Sequence, residues 1–67
     1  MIIQLNGESR EFPQQTVTVS ELIHELDLGP QPVLVELDGE ALYEREFAEK
    51  TVNDGSRVEI IRMVAGG

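Results

Sequence analysis

No cysteine occurs in the 67 residues. Disulfides, thiolate metal ligands and a cysteine nucleophile are therefore excluded, and stability has to come from the core. Basic residues are scarce as well, five against thirteen acidic ones, for a formal charge of -8. A polyanion is repelled by phosphate backbones, which proteins normally meet with Lys and Arg clusters, so no nucleic-acid partner is expected. The same charge keeps a small domain soluble and steers it towards basic protein surfaces. No apolar run approaches the roughly 20 residues that span a bilayer. Met1-Ile2-Ile3-Gln4 has neither the basic flank nor the apolar run of a signal peptide. The expected location is thus the cytoplasm or an equivalent soluble compartment, with no membrane partner.

Histidine appears once, as His24. Ser20 precedes it by four residues, so the two share a helix face. A nucleophilic pair needs an orienting group and an oxyanion hole besides, and the reading is a solvated face. The carboxylates of Glu21, Glu25, Asp27, Glu44, Glu46 and Glu49 lack cysteine or histidine partners and EF-hand spacing, so no metal site is expected. Gly7, Gly39 and Gly55 each follow Asn or Asp in a turn and do not form a phosphate-binding loop. A chain of this size buries only about 60% of the surface its unfolded form exposes, which leaves little room for an enclosed catalytic cavity. One domain, residues 1–67, acting as a carrier or binding module without bound cofactors, is the expectation.

Along the chain, Ile2-Ile3-Gln4-Leu5 is a short apolar run followed by Asn6-Gly7, whose tolerance of positive φ suits a tight hairpin turn. Glu8 to Phe12 then reads as the returning strand, ended by Pro13. A helix is predicted from about residue 18 to residue 28. Thr18-Val19-Ser20-Glu21 fits a capping box, Val19, Leu22, Ile23 and Leu26 form an apolar stripe, and Gly29 and Pro30 supply the stop. Val33 to Leu37 alternates as a strand with Leu34 and Glu36 on the face away from the helix, and Asp38-Gly39 turns it back into Glu40-Ala41-Leu42. Tyr43 to Val52 has no clean period; Phe47 and Val52 are expected to anchor a loop with a short helical turn. Asn53 to Ser56 is a tight turn before a last strand, Arg57 to Met63, with Val58 and Ile60 directed at the helix and Ile61 and Met63 outward. One helix across a small mixed sheet, first and last strands parallel at its centre, is the economical α+β solution.

The outward residues Leu34, Ile61 and Met63 are candidates for an apolar docking patch, with Val64 and Ala65 extending from it. Beyond them stand Gly66 and Gly67. A diglycine end can be extended, threaded into a narrow slot and approached closely. Its carboxylate is an anion at neutral pH and a poor electrophile, so it needs activation; acyl-adenylate formation supplies a leaving group that a nucleophile or sulfur can displace. Termini that fray, or fusion scars, also end in such residues.

Four stretches carry a family resemblance: Ile3-Gln4-Leu5-Asn6-Gly7-Glu8, Thr18-Val19-Ser20-Glu21-Leu22, Val35-Glu36-Leu37-Asp38-Gly39-Glu40, and Asn53 through Arg62 leading into Val64-Ala65-Gly66-Gly67. In this order the chain resembles, along nearly its whole length, the small sulfur carrier proteins of thiamine biosynthesis, the ThiS family. The resemblance implies a ubiquitin-like β-grasp fold with a flexible diglycine tail at 64–67 and a protein that is not itself an enzyme, a monomer when free. It also implies an E1-like adenylyltransferase that uses ATP and Mg²⁺ to make a glycyl-adenylate at Gly67. A persulfide donor would convert this to a thiocarboxylate, and thiazole synthase would receive the sulfur, with Gly66 giving clearance. The small subunit of molybdopterin synthase shares the fold and the diglycine end; its usual proline-containing approach is missing from Arg62-Met63-Val64-Ala65. A ubiquitin-like protein modifier, and an interaction module with an incidental diglycine, are the other readings.

Overall fold

The structure is a computed structural model and describes residues 1–63. Seven strands and one helix follow in the order β1 (Ile2–Leu5), β2 (Glu8–Glu11), β3 (Thr16–Thr18), α1 (Val19–Leu26), β4 (Val33–Leu37), β5 (Glu40–Leu42), β6 (Thr51–Asn53) and β7 (Arg57–Arg62), with a 3-10 turn at Glu44–Glu46. Five of the strands make a mixed sheet in the order β2-β1-β7-β4-β5, and β3 and β6 form a separate antiparallel pair. β7 is the central strand, parallel to β1 and antiparallel to β4, as expected for the first and last strands of the chain.

Alternation decides what is buried. Ile3 and Leu5 of β1, Val35 of β4, Leu42 of β5 and Val58 and Ile60 of β7 turn inward and meet Val19 and Leu22 of α1, with Phe12, Val17, Phe47 and Val52 closing the rim. Ile23 and Leu26 complete the helix stripe at half burial.

The helix start is held by four separate acceptors. Thr18 Oγ1 accepts from Glu21 N at 3.0 Å while Glu21 Oε1 accepts from Thr18 N at 2.8 Å, the reciprocal capping box. The amides of Val19 and Ser20 donate to Lys50 O and Phe47 O, both at 2.9 Å, so the 43–50 segment satisfies donors that a helix start leaves open. That is the work of the loop whose sequence shows no period.

Several boundaries differ from the sequence reading. The helix runs from Val19 to Leu26, not 18–28, because Asp27 itself adopts the left-handed conformation (φ 52°) and its amide turns back to His24 O at 3.2 Å. Thr18 is the cap and also the last residue of β3. The terminator is thus an aspartate, a residue whose short polar side chain tolerates this region. β2 ends at Glu11, one residue before Phe12, and β7 ends at Arg62, although Met63 N still donates to Pro32 O at 2.8 Å.

Two turn residues do more than turn. Asn6 and Asp38 both have φ of 50° and precede glycines at +82° and +84°, the geometry expected of the two hairpins. Asn6 Oδ1 accepts from Ile60 N at 2.8 Å and its Nδ2 donates to Ile60 O at 3.2 Å, which extends the β1–β7 ladder beyond the end of β1. On the other side Asp38 Oδ1 accepts from Arg57 N at 2.8 Å. β7 is therefore clasped on both flanks by side chains from hairpin turns. Asn6→Ala should lower stability by about 1–3 kcal/mol, the penalty of leaving part-buried backbone groups without partners. Urea unfolding of the variant checks this; an unchanged midpoint would show that the clasp is redundant.

Candidate functional site

The sequence places Leu34 and Ile61 on the outer face, and the register makes them direct neighbours: Leu34 pairs with Ile61 across β4 and β7. Both remain exposed, at 55% and 58%. They line a shallow groove of about 130 Å³ together with Glu36, Ala41 and Glu59. Contiguous apolar surface of this kind marks interaction sites.

Met63 follows two residues after Ile61 and is 45% exposed, with its amide tied to Pro32 O. That hydrogen bond fixes the root from which residues 64–67 continue. Val64, Ala65, Gly66 and Gly67, the other predicted site residues, lie outside the described residues.

The sequence already places Glu36 beside Leu34 on this face, and the register adds Glu59. Glu36 and Glu59 stand directly opposite each other in the β4–β7 register, both exposed. Like charges in that position oppose each other. The groove is apolar and acid-flanked, and a basic surface laid against the sheet would relieve the repulsion. Alternation held the signal: 34, 36, 59 and 61 share one face once the pairing of β4 with β7 is known.

Other exposed apolar residues fall elsewhere. Ile2 accepts from Gly55 N at 2.8 Å and so sits beside the turn that enters β7, at the opposite end of the sheet from Ile61. Tyr43 immediately precedes the 3-10 turn, with the Arg45 guanidinium 4.5 Å from its ring centroid.

Ser20 and His24 line one surface hollow with Gln14, Glu21 and Glu25. No hydrogen bond joins Ser20 to His24 among the described residues; Gln14 Nε2 instead donates to Glu25 Oε2 at 2.9 Å. Nothing there assembles a nucleophile with a base and an orienting group. Among the described residues no cluster of three or more metal-ligating side chains forms, and no helix is long and apolar enough to cross a membrane.

Comparison with known proteins agrees with the geometry. The sequence profile of the ThiS family matches residues 3–67. A sulfur carrier protein ThiS from Thermus thermophilus is 32% identical over 66 residues, covering 98% of this chain and 100% of that protein. A thiazole synthase from Paramagnetospirillum magneticum is 36% identical over 67 residues, and the chain spans only 20% of its length. The crystal structure of the thiamine biosynthesis protein ThiS from Geobacter metallireducens superposes with a TM-score of 0.88 at 33% identity, with both chains fully covered. One helix on a mixed sheet, in this order, is the ubiquitin-like β-grasp fold of that protein. The chain belongs to the ThiS family, the small sulfur carrier proteins of thiamine biosynthesis.

Proposed function

We propose that this chain carries sulfur as a thiocarboxylate on Gly67 and delivers it to a thiazole synthase for the thiazole ring of thiamine. The observation that supports this reading most is that the family match runs through Gly66 and Gly67 and is not confined to the folded body.

The chemistry requires partners. An E1-like adenylyltransferase joins the Gly67 carboxylate to the α-phosphate of ATP with Mg²⁺, and pyrophosphate leaves. The acyl carbon is now electrophilic, because AMP is a good leaving group. The terminal sulfur of a protein persulfide attacks it, AMP departs, and an acyl disulfide joins carrier to donor. A thiol then cleaves the S–S bond and is oxidised to a disulfide with the donor, while the carrier keeps a thiocarboxylate. The sulfur stays tethered and nucleophilic, so free sulfide need not be released. The reactions take place in the cytoplasm.

The folded body serves as a handle. ATP, Mg²⁺ and the persulfide belong to the partners, and the carrier contributes its Leu34–Ile61 groove and a tail whose residues each add roughly 3.3–3.6 Å of reach. Gly66 has no side chain to obstruct a narrow channel.

Incubation with ATP, Mg²⁺, a cognate adenylating enzyme and a persulfide source should exchange one oxygen for one sulfur in the intact mass. Ile61→Glu, which places a third acid beside Glu36 and Glu59, should slow that exchange at least tenfold while leaving the circular dichroism spectrum unchanged. An unchanged mass with an enzyme shown to be active would overturn sulfur carriage. Attachment of Gly67 to lysines of other proteins in the same mixture would favour a protein modifier instead.

A further inference from the structure

On the helix side of the sheet, opposite the docking groove, a cleft of about 320 Å³ opens between the end of α1 and strands β1, β2 and β7. Its floor is apolar, made by Leu5, Leu26, Leu28 and Ile60, and two arginines, Arg10 and Arg62, stand at its walls. The chain has five basic side chains, and two of them are gathered here from positions 52 residues apart.

Neither guanidinium is neutralised by a carboxylate hydrogen bond among the described residues. Arg62 Nη1 donates to a carbonyl, Leu28 O, at 3.2 Å, and Arg10 lies 5.9 Å from the centroid of the Phe12 ring. A guanidinium has five donors in a planar fork suited to two-point recognition of a carboxylate. Two of them over an apolar floor make a receptor for an anionic group on an apolar stem.

The geometry points to an acidic side chain of the thiazole synthase, flanked by apolar neighbours, as the occupant of this cleft. The inference rests on the sulfur-carrier reading above. Arg62 is the last residue of β7, one position before the pinned root of the tail, so a protein that takes hold of the tail passes beside the cleft. A free small anion must approach a chain of net charge -8 unaided. A side chain on a protein already docked through the Leu34–Ile61 groove is present at high effective concentration. The signs also complement each other. The outer face offers acids to a basic surface, the cleft offers arginines to an acidic one, and two contacts of opposite sign fix the carrier's rotation about β7 where the groove alone would not.

The test is calorimetric binding of the full chain to a cognate thiazole synthase at low and moderate salt. Arg10→Gln should weaken binding about tenfold at low salt, as expected for loss of one close charge pair, and should flatten the salt dependence. Arg45→Gln removes the same charge away from the cleft and should change affinity less than twofold. Thermal melting of the exposed Arg10→Gln variant should match the parent. If Ile61→Glu weakens the complex while Arg10→Gln behaves like Arg45→Gln, the cleft assignment is overturned and the carrier reading stands. If the unaltered chain fails to bind the synthase at all, both fall.

Discussion

Deleting Gly67 should abolish sulfur loading altogether while leaving the fold untouched. The reason is chemical before it is structural. In the proposed mechanism the adenylate forms on one carboxylate, that of Gly67, and a chain ending at Gly66 would present its carboxylate about 3.5 Å short of that position. Displacements of about an ångström from a reactive geometry already lose on the order of a hundredfold in rate. Among the described residues the buried cluster runs from Ile3 to Ile60, and the deletion alters none of its members. The measurement is intact mass after incubation with the loading enzymes, paired with a thermal melt. Loss of the oxygen-for-sulfur exchange with an unchanged melt is the expected pair. Continued exchange in the truncated chain would place the sulfur elsewhere and remove Gly67 from the mechanism.

Local chemistry made much of this fold readable in advance. The capping box at Thr18 and Glu21 needs only four consecutive residues, and both hairpins announce themselves in Asn6-Gly7 and Asp38-Gly39. Strict alternation in 33–37 and 57–61 put Leu34 and Ile61 on the outer face before any pairing was known. Long-range features were harder. β3 and β6 are three residues each, too short for a period, and they become strands because Val17 and Val52 are buried opposite each other in the pair. The helix stop was misplaced because Gly29 is the stronger local signal, yet Asp27 reaches the left-handed region first. The Asn6 clasp and the Arg10–Arg62 cleft join residues more than fifty positions apart, and only the parallel pairing of β1 with β7 brings them together.

Leu22→Ala should remove most of the stability of the domain. Leu22 is 0% exposed at the centre of an eight-residue helix, with the sheet residues Ile3, Val35 and Val58 in the same buried cluster. A helix this short is marginal by itself and is held by packing and by its caps. Truncating a buried leucine costs about 2–5 kcal/mol, the spread depending on how far the site collapses. At about 0.05–0.15 kcal/mol per residue the whole chain has on the order of 3–10 kcal/mol to lose, and no disulfide limits the unfolded state. The urea midpoint should fall by half or more, or the transition should begin in water. A midpoint within error of the parent would mean that the helix is not what holds the sheet. The variant also separates two ways of failing to carry sulfur. In the proposed mechanism Leu22→Ala should lose loading together with its melt, whereas deletion of Gly67 should lose loading alone, because the first removes a buried core side chain and the second removes the carboxylate to be activated.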